Sequence, residues 1–292
     1  MLAGTVLAAA VYGRRRLRET STPATITERD AAAFLVRRPV DPDGLEAVRE
    51  TVAERISTGD PEAILGLEGA STASLLLDSE GERPELVWYV EVPRSVVDRW
   101  ADPRATVAGA FPVESDALED EPAVDRELLV HAVNPTRPRT VAGADGPLVA
   151  GPEGVGVDVD LVEMRLESGV AERLADRFAG LCRRIADGEC ELGPIERWSA
   201  EMLEAEEMYT ESVFLERREE GYALVGYMET AAMGGVYDAY YDTYNPVARA
   251  SEVVLGWVLE EPTVILEYPL ETGVTLLAHA VDPERPRRPA EC

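Results

Sequence analysis

Lysine and glutamine are absent from this 292-residue chain, so all 28 of its basic residues are arginine. They are set against 56 Asp and Glu, which leaves a formal net charge of -28. Nucleic-acid binding needs a concentrated basic face that releases counterions, and no basic cluster follows residue 18. Self-repulsion at this charge density weakens a compact state in dilute buffer. At molar salt the Debye length falls to about 3 Å and the repulsion is screened, so the composition predicts folding at high salt. Cysteine is scarce too. Cys182, Cys190 and Cys292 form neither a CxxC pair nor an even set. On one helix Cys182 and Cys190 would lie about 12 Å apart, beyond disulfide reach, and both read as small core or boundary residues. No metal or cofactor motif accompanies them, and no Gly-rich phosphate loop or G-x-S-x-G elbow occurs.

Long apolar runs are missing as well. Met1 to Gly13 is apolar and is followed by Arg14, Arg15, Arg16 and Arg18. Thirteen helical residues reach about 20 Å, short of the roughly 30 Å hydrocarbon core, and a secretory signal carries its charges before the apolar stretch. The segment reads as an N-terminal extension, with membrane contact only if it is part of a longer anchor. A cytoplasmic location is expected.

What the sequence does contain is a duplication. Leu128-Leu129-Val130-His131-Ala132-Val133-Asn134-Pro135 reappears as Leu276-Leu277-Ala278-His279-Ala280-Val281-Asp282-Pro283, each followed by Arg-Pro-Arg. Thr72-Ala73-Ser74-Leu75-Leu76-Leu77-Asp78 answers Thr210-Glu211-Ser212-Val213-Phe214-Leu215-Glu216, and Tyr89 and Glu91 answer Tyr227 and Glu229. The copies are collinear with growing offsets. This predicts an extension over residues 1–29, one repeat over 30–140, a Gly- and Pro-rich linker over 141–156, and a second repeat over 157–288.

Within the second repeat, alternation over 157–166 predicts a strand, and Val170, Leu174, Phe178, Leu181 and Ile185 mark one helix face. Another helix starts at Pro194, two β-rich runs (209–217 and 222–230) form a hairpin, helices follow on both sides of Pro246, and strands over 263–268 and 274–281 close the copy. The first repeat gives strands over 33–40, 73–78, 85–92 and 127–133, a helix over 45–56 and weak helix around Pro103; the acidic segment 114–125 reads as an exposed loop. The order β-α-β-β-α-β is that of a ferredoxin-like plait, an α+β fold with helices on one sheet face. Alternating residues of the third strand, Val87 and Tyr89 against Leu86, Trp88 and Val90, make both faces apolar. Two antiparallel sheets packed by their open faces, an intrachain pseudo-dimeric α/β barrel, would bury them.

Val159 to Leu166, Met208 to Glu216 and Gly226 to Glu229 resemble an uncharacterised haloarchaeal family of about one hundred residues. The Lys-free acidic composition is likewise similar to that of cytosolic proteins of halophilic archaea. The resemblance covers roughly Val157 to Trp257. It implies the dimeric α/β-barrel fold of antibiotic-biosynthesis monooxygenases and supplies no catalytic residue.

His131 and His279 are the only histidines and hold the same place in both copies. They are candidates for acid–base work or, without any supporting ligand spacing, for a metal; the alternative is a pair of hydrogen-bonded strand residues. Tyr89 with Glu91 and Tyr227 with Glu229 are candidates for lining a ligand pocket, against a reading as strand aromatics beside strand-end acids. Tyr237, Tyr240 and Tyr244 share a helix face that is expected to pack on the sheet with its hydroxyls in solvent. Glu201, Glu204, Glu206 and Glu207 read as a solvated acidic face. The leading expectation is a monomeric binding or structural module without catalysis, no resident cofactor, and a small-molecule ligand as partner. The alternative is a cofactor-free monooxygenase- or isomerase-like enzyme using His131 or His279 as acid or base.

Overall fold

Helical stripes and strand alternation place most elements where the sequence puts them. The computed structural model describes residues 30–81, 83–134, 137–138, 148–150, 157–190, 193–270 and 272–285. The extension over residues 1–29 and most of the 141–156 linker lie outside the described residues. The chain is α+β, with two antiparallel sheets in two compact units.

The first copy supplies β1 (Ala31–Pro39), α1 (Leu45–Ile56), α2 (Glu62–Leu65), β2 (Thr72–Asp78), β3 (Glu85–Pro93), α3 (Arg94–Val97), α4 (Pro103–Gly109) and β4 (Asp125–Val133). A three-residue strand, β5 (Leu148–Ala150), comes from the linker region. The second copy supplies β6 (Asp158–Arg165), α5 (Val170–Ala186), α6 (Pro194–Ala205), β7 (Met208–Arg218), β8 (Gly221–Thr230), α7 (Met233–Asp242), α8 (Pro246–Val258), α9 (Thr263–Leu266) and β9 (Val274–Val281).

The sheets do not follow the copies. One has the order β1-β3-β2-β9-β5 and the other β4-β7-β8-β6. Each last strand has left its own copy: β9 pairs with β2, and β4 pairs with β7. The sequence-based plait closes each sheet with its own last strand, and this is corrected. The physical reason lies in the repeat itself. Two nearly identical strands have the same alternation and fit the same edge, so pattern alone cannot assign them.

In the five-stranded unit, Val48 and Val52 of α1 and Ile64 and Leu65 of α2 cover Leu86, Trp88, Val90 and Val92 of β3. Full burial of each such aliphatic side chain contributes roughly 1.5–3 kcal/mol. Trp88 donates its indole N–H to the carbonyl of Ile64 at 3.0 Å and meets Phe111 edge-on, with ring centroids 6.0 Å apart. Gly66 permits this: its φ is +70°, and a Cβ there would lie 3.0 Å from both the Ala110 carbonyl and the Trp88 ring. Pro103 opens α4 after the Asp102 cap, splitting the weak helix predicted around it. The acidic 114–125 segment is not wholly solvated: Leu118 is buried and bridges to Val40.

In the four-stranded unit, the buried face of α5 is Ala171, Ala175, Phe178, Ala179, Cys182 and Ile185. The predicted stripe is rotated; Val170 is exposed in the first turn, and alanines allow the helix to approach the sheet closely. Residues 263–266, predicted as strand, form α9 instead. Pro262 has helical dihedrals and starts a turn that buries Ile265, overriding the β-rich run Thr-Val-Ile-Leu. Tyr237 and Tyr240 are buried, but their hydroxyls donate to the carbonyls of Ile265 at 2.9 Å and Ala248 at 3.2 Å rather than reaching solvent. Tyr244 is exposed and is not part of that buried face. Among the described residues no helix is long and apolar enough to cross a membrane.

Candidate active site

Strand alternation decides which side chains share a face. In β3, Leu86, Trp88, Val90 and Val92 face the helices, so Val87, Tyr89 and Glu91 take the opposite face. In β8, Leu224 and Met228 face the helices, which turns Val225, Tyr227 and Glu229 the other way. That second face, expected to be apolar, carries buried polar residues in both units.

In the five-stranded sheet Ser74 stands opposite Tyr89 on one neighbouring strand and opposite His279 on the other. Ser74 Oγ and His279 Nδ1 are 2.8 Å apart. In the four-stranded sheet Ser212 stands opposite Tyr227 and His131, with Oγ and Nδ1 2.9 Å apart. All six side chains are buried. The strand exchange therefore joins each histidine to the serine and tyrosine of the other copy. Two residues further along, on the same face, Glu91 lies opposite Thr72, and Glu229 opposite Thr210.

Glu91 is held in place. Arg137 donates to both its carboxylate oxygens at 2.7 Å, and Ser71 Oγ donates to Oε1 at 2.7 Å. Both partners of this forked ion pair are buried, so its Coulomb attraction must offset a large desolvation cost. Arg285, the repeat counterpart of Arg137 in sequence, donates from Nη1 to Thr72 Oγ1 at 2.8 Å and from Nε to the Pro138 carbonyl at 2.8 Å. At the other end of the same sheet face, Arg37 pairs with Asp78 at 3.2 Å and Glu85 at 3.0 Å. The four-stranded sheet has its own cluster, in which buried Glu216 receives Arg126 at 2.7 Å and Arg218 binds Glu163 through Nη1 and Nη2.

The six site candidates from the sequence all lie in these layers, grouped across copies: His279 with Tyr89 and Glu91, His131 with Tyr227 and Glu229. Ser74 and Ser212 were not singled out. Their signal was the matched Thr-x-Ser of the repeat, Thr72-Ala73-Ser74 and Thr210-Glu211-Ser212. Chemically, an imidazole with Nδ1 in hydrogen-bond contact has its ring orientation set and can exchange a proton through Nε2. A nearby phenol can donate to a developing oxyanion.

One acid departs from the solvated face assigned to it. Glu206 at the end of α6 is buried, and its Oε1 has no hydrogen-bond partner among the described residues. Burial first, and the neighbouring Glu211 in addition, push its carboxyl up to about 8. Glu207 beside it takes a left-handed φ of +47°, and Thr230 Oγ1 donates to the carbonyls of both residues. Buried Cys182 is shifted in the same direction: desolvation pushes its thiol up to about 12. No group of three or more His, Cys, Asp or Glu that could hold a metal ion occurs among the described residues.

No protein-family model and no protein of curated function matches the sequence. Solved structures similar to this chain include a candidate monooxygenase from Lactobacillus acidophilus NCFM, with a TM-score of 0.42, 10% identity, and coverage of 87% of this chain and 97% of that one. A candidate monooxygenase from Fusobacterium nucleatum subsp. nucleatum gives 0.39 and 8%, covering 86% and 92%. An anthrone oxidase-like protein gives 0.36 and 12%, covering 93% and 99%. Likeness at this level carries over no residue and no substrate. The expectation of a binding or structural module without catalysis is corrected: none of these three structures is described as such a module, and the monooxygenase- and oxidase-like descriptions are theirs, not this chain's.

Proposed function

We propose that the chain is a cofactor-free enzyme of the monooxygenase or isomerase type, with His131 and His279 as acid and base in two equivalent sites. The observation that carries this reading is the repetition of one buried constellation, imidazole on serine at 2.8 and 2.9 Å with a tyrosine on the next strand. A polar layer costs stability on a face that apolar residues could fill, and here that cost is met twice. The imidazole would take a proton from a carbon or oxygen acid, and Tyr89 or Tyr227 would stabilise the anion. In an isomerase the proton returns at another atom. In a monooxygenase the substrate anion itself reduces dioxygen: one oxygen atom enters as a carbonyl, and the other leaves as water with both hydrogens of the substrate methylene.

The same proposal places the chain in the haloarchaeal family that its second half resembles, as a cytoplasmic monomer whose sheets form the α/β barrel within one chain. It takes a small molecule as partner and no resident cofactor. The test uses wild type and a His131→Ala/His279→Ala variant in molar KCl with a panel of enolisable ketones and phenols. Solvent deuterium uptake is followed by NMR and dioxygen uptake by electrode. Wild type should turn over at least one compound, with a loss of roughly 100-fold or more in the double variant. A wild type inert across the panel, or a double variant as active as wild type, refutes the reading.

A further inference from the structure

We infer that Ser74 and Ser212 are positioning residues acting across the duplication, each holding Nδ1 of the imidazole supplied by the other copy so that Nε2 is the nitrogen that exchanges the proton. The catalytic meaning of this inference rests on the proposed function; the pairing itself does not. Three observations converge on it. The contacts are short and buried, at 2.8 Å for Ser74 with His279 and 2.9 Å for Ser212 with His131. The strand register places each serine directly opposite its histidine.

The third observation is a matched irregularity. The β2–β9 ladder shifts register between Leu75 and Leu76, leaving Leu277 as the extra residue; the β4–β7 ladder shifts between Leu128 and Val130, leaving Leu129 extra. Leu129 and Leu277 are equivalent in the repeat, and each comes two residues before a histidine. A bulge reverses which face the following residues take, so these two set the side of the sheet on which the imidazoles stand. A positioning serine and a bulge that aims the histidine at it thus occur together in each sheet.

The chain has only two histidines, so imidazole NMR reads each site separately. Long-range proton–nitrogen spectra of the full-length protein in molar KCl, above the imidazole titration range, are assigned with His131→Ala and His279→Ala. Wild type should show one tautomer for each ring; averaged tautomers would overturn the inference without any variant. Ser74→Ala should disturb His279 alone and Ser212→Ala His131 alone, while Ser74→Thr, which keeps the hydroxyl, preserves the His279 pattern. A Ser74→Ala protein that moves His131, or neither ring, overturns the pairing.

Activity, once a substrate is found, gives a second reading. Ser74→Ala/His279→Ala removes one site and should keep about half the turnover, whereas Ser74→Ala/His131→Ala damages both sites and should fall well below half. The reverse ranking overturns the cross-copy assignment. Fixed tautomers in a protein whose double-histidine variant loses no activity would sink the proposed function while leaving the pairing intact.

Discussion

Replacing Glu206 by glutamine gives a protein whose stability differs from wild type by an amount that depends on pH. In the folded chain burial holds the carboxyl at about 8, against an ordinary value of 4.5. Below pH 4.5 both folded and unfolded states carry the proton, and the contribution to stability is fully present. Between 4.5 and 8 the folded state keeps a proton that the unfolded state has released, so stability falls as pH rises, by about 1.4 kcal/mol per unit. Above 8 the loss is complete, on the order of 5 kcal/mol. The carboxamide has the shape of the neutral acid and does not titrate. Urea unfolding of wild type and Glu206→Gln at fixed molar KCl, from about pH 5 to about pH 9, measures the difference and cancels the response of the other acids. The variant should gain on wild type by several kcal/mol across that range, most steeply below pH 8. A flat difference would mean that Glu206 is ionised or solvated, and would refute its burial as a neutral acid.

Arg137→Met should cost roughly 3–5 kcal/mol in urea unfolding by stranding the buried Glu91 carboxylate, and Glu91→Met/Arg137→Met should recover much of that loss; a single variant as stable as wild type would show that the ion pair is solvated. Gly66→Ala should lower the melting temperature more than Gly59→Ala. Both have left-handed φ, but a Cβ at Gly59 meets open space and one at Gly66 meets the Ala110 carbonyl and Trp88; equal shifts would remove the packing argument. Polypeptides 1–140 and 141–292 should co-elute when expressed together and fail to give native circular dichroism alone, since the first lacks β9 and β5 and the second lacks β4; either one folding alone would contradict the exchange.

Much of the fold was legible because helix and strand leave different periods. Leu45, Val48 and Val52 mark α1 at spacings of three and four, and Tyr222 to Thr230 alternates through β8. The strand exchange was not legible, because Leu-Leu-Val-His-Ala-Val and Leu-Leu-Ala-His-Ala-Val suit either edge equally. The bulges at Leu129 and Leu277 were hidden too, since they depend on the partner strand. In the site, the histidines and tyrosines were visible through their duplication. Ser74 and Ser212 were not, because serine in a strand carries no chemical signal until its cross-strand neighbour is known. Glu206 was masked by its company: among 56 acidic residues, an acid on an acidic helix reads as solvated, and only the packing of α6 reveals otherwise.

The exchanged strands also tie the histories of the two copies together. A gene duplication ordinarily leaves a spare that can drift or be lost. Here a substitution in the β4 strand is judged by the serine of the second copy, and one in β9 by the serine of the first. Neither half can be discarded without opening a sheet that the other half builds, so divergence between the copies must proceed by matched changes in both.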